Sequence, residues 1–394
     1  MELQEARQSL QRPARQDSPR SAAVARHPSG DCFASGWGRS AARCYRLHMG
    51  GARLVDVARE AGVHVGTVSR ALNPATRSRV NTVTAARIIE VAQRLGYETN
   101  VVGRALRTHR SHTVGALIPD LTNPLFPRIV RGIEDSLAKA EYTALITSTD
   151  NDALRERKAI AVLRNRQVDG FLIASARLDD PALREIIEAS VPLVALNRTS
   201  LNAQTSSVVV DDQQGIADVM AHLVTLGHQH IAHVAGPADT STGQARLEAF
   251  EAALDRYGLQ RRPELIVQAP SYSIEAGTWC ARELFKRGRP FTALVAGNDL
   301  LALGVLDVLK ENYVPCPERV SVVGFNDIDF AARMSPSLTT VRVPKYELGA
   351  RGAQLLLDMI YRGRDVETVT LPVTLMIRGS TGPPPAPGAG LFGL

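Results

Sequence analysis

The segment Val65-Gly66-Thr67-Val68-Ser69-Arg70-Ala71-Leu72 carries groups that can read a nucleic-acid duplex. Arg70 can pair with O6 and N7 of a guanine. Thr67 and Ser69 are short hydroxyls suited to phosphate oxygens, contacts that set register without reading sequence. Val65 can meet a thymine methyl. Gly66 contributes little directly, so base reading rests heavily on Arg70, with Asn73 closing the same face. A second constellation is scattered along the chain at the ends of short apolar runs: Asp120 and Asn123, Asn197-Arg198, Asp211, Asn298-Asp299 and Asn326-Asp327. Arg246 opens a helical pattern, Arg342 follows Thr339-Thr340-Val341, and Phe126 and Tyr272 can stack on a ring face. Asp, Asn and Arg around an aromatic suit a polyhydroxylated ligand, because each can pair with adjacent hydroxyls. The three arginines Arg198, Arg246 and Arg342 also suit a carboxylate or phosphate, so both a sugar and a sugar acid stay open.

Catalytic signatures are missing. There is no G-x-S-x-G, P-loop, H-E-x-x-H or G-x-G-x-x-G. His228, His230 and His233 sit near a helix-to-strand junction and read as a solvated turn rather than a metal set. Cys32, Cys44, Cys280 and Cys316 show no C-x-x-C or Cys/His ligand spacing, which fits a reducing compartment. Neither a metal nor a cofactor is expected, and no enzyme activity.

The elements that must position these groups fall into two patterns. Leu54, Val57 and Ala58 make one apolar face, Ala61-Gly62-Val63 a tight turn, Val65–Leu72 a second short helix stopped by Asn73-Pro74, and Thr84–Leu95 a third. Three compact helices with a Gly-containing turn form a helix-turn-helix, whose second helix enters the major groove. After residue 112 apolar runs alternate with amphipathic helices, a pattern that predicts parallel sheets with helices on both faces. One series runs from Thr113 to Leu196 and a second opens at Val208-Val209-Val210-Asp211. Two series argue for two lobes with a cleft at the strand C-termini.

The expected organisation is an Arg/Ser/Ala/Gly-rich disordered extension over 1–48, a helix-turn-helix domain over 49–97, and a hinge and linker over 98–112. A two-lobed α/β effector-binding and dimerisation domain then spans 113–380, before a Pro/Gly-rich disordered tail over 381–394. Met49 stands just before the first patterned segment and is an alternative start of translation, which intact mass would decide. Of 394 residues, the first 111 carry 18 basic against 8 acidic side chains, a balance of +10 that is all Arg, while the remainder balances to −4. Positive charge is therefore concentrated beside the helix-turn-helix. No run of 18 apolar residues offers a membrane span, and no apolar run near the N-terminus offers a secretory signal.

Leu54–Leu72, reading LVDVAREAGVHVGTVSRAL, resembles the signature of the LacI family, the lactose-repressor type of regulator. The likeness continues through Gly96-Tyr97, Asn100, Arg104-Ala105-Leu106-Arg107, Val114–Phe126, Arg131–Glu134, Val168-Asp169-Gly170, Asn197-Arg198, Asn298-Asp299 and Val323-Gly324-Phe325, covering residues 53–378. The resemblance implies a hinge helix at Val101–Arg107 that folds on DNA, with Leu106 as an apolar wedge in the minor groove. It implies effector contacts at Asp120, Phe126, Arg198, Asp211, Arg246, Tyr272, Asp299 and Asn326. It also implies a cytoplasmic homodimer on double-stranded, pseudo-palindromic operator DNA, acting as a repressor. A small-molecule effector would switch it through lobe closure that moves the paired hinge helices. A solute-binding protein for sugar uptake is the alternative, disfavoured by the basic helix-turn-helix. Three positions depart from the family pattern. His64 replaces Ser or Thr and weakens the recognition-helix cap, Thr99 replaces Pro, and Gly103 replaces Ala, which costs a helix about 1 kcal/mol.

Overall fold

A computed structural model describes residues 52–73, 76–97, 110–201, 204–363 and 366–386. The expected extension over 1–48, Met49, the hinge positions Thr99, Gly103 and Leu106, and the tail beyond 386 lie outside the described residues. The chain divides into two compact units.

The first unit holds α1 (Leu54–Glu60), α2 (Val65–Leu72) and α3 (Thr82–Arg94), with a 3-10 turn at Arg77–Arg79. Val57 and Ala58 of α1, Val68 and Ala71 of α2, and Ala85, Ile88, Val91 and Ala92 of α3 bury one another. Their three- and four-residue spacing puts each set on one helix face. Gly62 turns the chain between α1 and α2 at φ +63°, where a side chain would be strained. Helix α3 starts two residues before the apolar pattern does, because Asn81 caps it by accepting from the Val83 N–H. Arg94 donates to Glu60 at 2.9 Å and ties α3 to α1.

The second unit is built on two six-stranded sheets. The first lobe contains β1 (Thr113–Ile118), β2 (Thr143–Ser148), β3 (Phe171–Ile173), β4 (Leu193–Leu196) and β5 (Ser206–Val210), with α4 (Phe126–Ala138), α5 (Ala153–Asn165) and α6 (Pro181–Glu188) between successive strands. Helix α7 (Asp212–Thr225) leads into the second lobe: β6 (Ile231–Ala235), α8 (Ser241–Arg256), β7 (Ile266–Gln268), α9 (Ile274–Lys286), β8 (Ala293–Ala296), α10 (Asp299–Glu311), β9 (Ser321–Asn326) and β10 (Thr339–Arg342). The chain then returns to the first lobe with α11 (Lys345–Arg362) and β11 (Thr368–Leu371), and crosses once more to place β12 (Thr374–Met376) beside β10. Sheet order is β11-β5-β4-β3-β1-β2 in one lobe and β12-β10-β9-β8-β6-β7 in the other. All pairs are parallel except β10 with β12.

Three expectations are corrected or refined. Val208–Val210 does not open the second lobe: β5 pairs with β4 in the first sheet, Ala195 opposite Ser207, and the crossing comes at Asp211. The region expected only as part of the α/β domain also contains the 18-residue helix α11. Its packed faces include Gly349 against α4 and Gly352 against Leu196 of β4, and both carry little hydropathy. A Cβ at Gly132 of α4 would run into the Tyr346 carbonyl, and one at Gly349 into the Ile129 carbonyl, so the two helices touch backbone to backbone. Finally, the chain stays anchored past residue 380. His222 bonds Thr381 at 3.0 Å, and the Gly382 N–H donates to Ser321 at 3.0 Å.

Candidate functional site

In the first unit, α2 presents one buried and one open face. Val68 and Ala71 face the core, while Arg70 is exposed and Gly66, Thr67, Ser69 and Asn73 are half-buried. Val65 also packs against the core cluster, so only part of its surface is open to a partner. His64 does not leave the helix uncapped: its Nδ1 accepts from the Gly66 N–H at 3.1 Å. The glycine makes this close approach easy, because a Cβ there would come within 3.3 Å of the imidazole. Arg70 Nε donates to the Gly66 carbonyl at 3.0 Å, which lays the guanidinium along the helix surface. Arg53, Arg59, Arg77, Arg79 and Arg87 are also exposed on this unit. The unit thus offers a short helix of small polar groups, one arginine and a positive field, the pattern that phosphate positioning and groove reading require.

In the second unit, a narrow cleft lies between the lobes. The first lobe contributes Asn123, Leu125 and Phe126 from the β1–α4 loop and Asn197 and Arg198 after β4. The second contributes Thr242 and Arg246 of α8, Tyr272, Asn298 and Asn326. These are strand ends and helix starts, brought together by the parallel topology. Asn197 and Asn326 have φ of 63° and 118°, a left-handed backbone that aims their amides away from the strand direction. Among the described residues, three of the few buried polar atoms with no hydrogen-bond partner belong to this lining: Asn197 Oδ1, Arg198 Nε and Asn326 Oδ1. Buried polar groups are normally satisfied, so three together mark a place built for another molecule's polar groups.

The charged members are held differently. Arg246 donates Nε to Asp212 Oδ1 at 2.7 Å and Nη1 to the Gly297 carbonyl at 2.6 Å, with its guanidinium 3.7 Å from the Phe325 ring centre. Burial pushes the Asp212 carboxyl up, with the Arg246 charge opposing. Among the described residues, the Arg198 side chain donates to the Asn151 amide oxygen at 3.2 Å, and it lies 5.6 Å from the Tyr272 ring centre. Tyr272 shares a hydrogen bond with Thr242 at 3.1 Å.

Phe126, Asn197, Arg198, Arg246, Tyr272 and Asn326 therefore meet in one cavity, as their residue types suggested. Three acidic candidates do not join them. Asp299 is wholly buried behind the wall: its carboxylate accepts from the Thr340 hydroxyl at 2.5 Å and the Ile328 N–H at 2.8 Å, and burial raises its pKa to about 7. Asp211 caps α7 through the Gln214 N–H. Asp120 folds onto the Thr122 N–H and hydroxyl. Arg342 points to Asp327 at 2.7 Å, outside the cavity. Thr242 and Leu125 were not anticipated, although both stand at a helix start beside a strand end. Two of the three histidines are no solvated turn. His233 is buried in β6, stacked 4.6 Å from Phe250 with Nδ1 on the Val295 carbonyl, and burial lowers its pKa to about 4. His228 is buried among Thr292, Ser321 and the Gly382 carbonyl.

Residues 53–100 match the model of the bacterial regulatory proteins of the lacI family, and residues 220–381 match that of a periplasmic binding protein-like domain. Over 338 residues the chain is 32% identical to the HTH-type transcriptional repressor CytR of Escherichia coli (strain K12), spanning 84% of this chain and 96% of that one. The chain belongs to the LacI family. This LacI-family chain is also 30% identical over 333 residues to the ribose operon repressor of E. coli (strain K12), covering 84% and 99% of the two. Its fold matches the lac repressor dimer bound to operator and the anti-inducer ONPF with a TM-score of 0.76 at 27% identity, over 84% of this chain and 100% of that one. A CelR–cellobiose complex matches with a TM-score of 0.65 at 29% identity, over 84% and 99%. The chain is a sequence-specific DNA-binding transcriptional regulator under effector control, and the solute-binding alternative is set aside. Among the described residues, no helix is long and apolar enough to cross a membrane.

Proposed function

We propose that this LacI-family chain is a repressor that acts in the cytoplasm, at the nucleoid, as a homodimer on a pseudo-palindromic operator. A sugar or sugar acid held in the inter-lobe cavity sets its grip on DNA. The three unpartnered buried atoms, Asn197 Oδ1, Arg198 Nε and Asn326 Oδ1, carry the effector reading. The dimer and the operator rest on the likeness to the lac repressor dimer. In this reading Val65, Gly66, Thr67, Ser69, Arg70 and Asn73 face the major groove, and Leu106 enters the minor groove. Phe126, Asn197, Arg198, Arg246, Tyr272 and Asn326 touch the effector. Asp120, Asp211 and Asp299 shape the loops that carry those contacts.

The lobes are joined around the cavity by contacts that a change in lobe angle must break. Arg128 of α4 donates Nε to the Asp329 carboxylate at 2.9 Å, Arg177 pairs with Asp239 at 3.5 Å, and the Thr199 N–H donates to Ser241 Oγ at 2.9 Å. An effector that binds one lobe angle better than another shifts the population toward it, and only by that difference in affinity. Fluorescence anisotropy with DNA from the chain's own upstream region tests the function. The expected result is salt-dependent binding that changes when a stabilising sugar or sugar acid is added. No binding at low salt, with or without those compounds, overturns it.

A further inference from the structure

The two ends of α11 are tied to the two places that this regulator must connect. At the N-terminal end Lys345 is buried, and its Nζ donates to the Asn326 carbonyl at 3.0 Å and the Asp327 carbonyl at 2.5 Å. That turn closes β9 of the second lobe. Both of its residues have positive φ, 118° and 51°, and their successive carbonyls converge on one ammonium. The Asp327 carboxylate is taken by Arg342 and Arg378. Asn326 also lines the inter-lobe cleft, so one turn presents an amide to the cleft and its backbone to α11. At the C-terminal end Arg110 donates Nη2 to the Ile360 carbonyl at 2.9 Å, one of those that a helix end leaves without an internal partner. Its guanidinium lies 4.5 Å from the Tyr361 ring centre. Tyr361 meets Tyr142 edge to face at 6.2 Å, and Tyr142 meets His112 at 4.9 Å. Asp169 fixes the next two residues, accepting from the Ser111 N–H at 2.8 Å and the His112 N–H at 3.0 Å. Residues 110–112 lead into β1 and are the first described residues after the helix-turn-helix unit.

Between those ends α11 is wedged. Its 18 residues span about 27 Å. Gly349 meets the Ile129 carbonyl of α4 and Gly352 meets Leu196 of β4, with no room for a side chain at either. Close-packed elements of this kind transmit strain and shift between discrete arrangements rather than deforming smoothly. Resting on the effector reading of Asn326 above, we propose that α11 is the rod that couples the cleft to the DNA-binding unit. Lys345 and the Arg110–Tyr361 stack are positioning residues at its two ends. When the Asn326 turn moves, Lys345 follows it or lets go, and the shift is delivered at Arg110, where the tether to the DNA-binding unit begins. Neither Lys345 nor Tyr361 lines the cleft, so both act through the rod.

Hydrogen exchange on the full chain, with neither DNA nor sugar present, reads the rod from both ends. Lys345→Met removes the ammonium and keeps the bulk. It should speed exchange of the Ser111–Thr113 amides, about 27 Å away, by at least about threefold. Tyr361→Leu should do the same to the Asp327 and Ile328 amides, because coupling is reciprocal. Strand β8 (Ala293–Ala296) lies off the rod and is the reference. If either remote set fails to respond, or responds no more than β8, the rod is overturned. A double-mutant cycle on duplex DNA from the chain's own upstream region, read by anisotropy, gives the functional measure. Each single change should weaken binding about twofold to thirtyfold. Independent sites this far apart would multiply their losses. A rod already cut at one end loses little more when cut at the other, so the double variant should match the weaker single. A full product, or single variants that bind as the parent does, overturns the proposal and leaves the effector reading standing. A parent chain that ignores this DNA at low salt overturns the proposed function instead, and the exchange measurement then decides the rod alone. Should Lys345→Met fail to fold, the exchange response of Tyr361→Leu decides.

Discussion

In the proposed reading, helix α2 and the inter-lobe cavity solve the same problem in opposite ways. Both must keep polar groups ready for an absent partner. On α2 those groups stay at the surface and rest on their own helix: His64 on the Gly66 N–H, Arg70 on the Gly66 carbonyl. Water can replace each of these bonds, so the cost of waiting is small. In the cavity the groups are buried, and Asn197, Arg198 and Asn326 wait with atoms unsatisfied. There, on the proposed reading, the cost of waiting is stored in the fold and would be released when a ligand enters. One region should therefore tolerate substitution and lose only function. The other should trade stability against function.

The largest expected effect is at Asp212. Its carboxylate balances Arg246 in a nearly dry site, so Asp212→Ala should destabilise the chain by about 3–5 kcal/mol, read by urea denaturation. A loss below about 1 kcal/mol would show the pair to be far wetter than its burial suggests. Next comes Arg70→Ala, which should weaken operator binding by about 1–3 kcal/mol and relax the preference at one base pair. Its unfolding should stay within about 0.5 kcal/mol of the parent, because the side chain is exposed. A comparable loss of stability would erase the contrast between the regions.

The pH response sharpens it further. Glu156 keeps its proton in the folded chain up to about pH 7, against an ordinary value of 4.5, because it is buried. A carboxyl raised in this way stabilises the fold below 4.5 and loses that contribution as pH climbs to 7. Relative to the parent, Glu156→Gln should gain stability across that window by up to about 1.4 kcal/mol per pH unit, then level off. A flat difference would place Glu156 in contact with water. The smallest effect is expected at Asn197, whose φ of 63° and unpartnered oxygen both cost the empty protein. Asn197→Gly removes both and should raise stability by about 1 kcal/mol while weakening effector binding. A variant that is less stable and binds no worse contradicts the stored-cost picture.

The contrast also explains what could be read from sequence. The reading helix is local: cap, apolar face, Arg70 and Asn73 lie within ten residues, so their order is nearly their geometry. Alternation of strands and helices was legible for the same reason. The lobe to which β5 belongs was not, because a strand looks the same whichever sheet it joins. Helix α11 escaped notice because Gly349 and Gly352 do their work by being small. In the cavity, residue types pointed to the right loops, but not to which member of a pair faces inward. Asn298 lines the space while its neighbour Asp299 is turned to Thr340, into room left by the missing side chain of Gly324. Nothing in a sequence of alternating Asn and Asp distinguishes these two orientations.

The account's central claim is that the cavity and the reading helix are coupled, and linkage makes that claim measurable twice. The operator affinity is titrated by anisotropy with and without a saturating sugar or sugar acid that binds, and that compound's affinity by calorimetry with and without operator. The same factor, at least about fivefold, should appear in both titrations, since coupling between two sites is reciprocal. A factor of one in each, from a ligand that occupies the cavity, would show that what fills the cavity does not govern the grip on DNA.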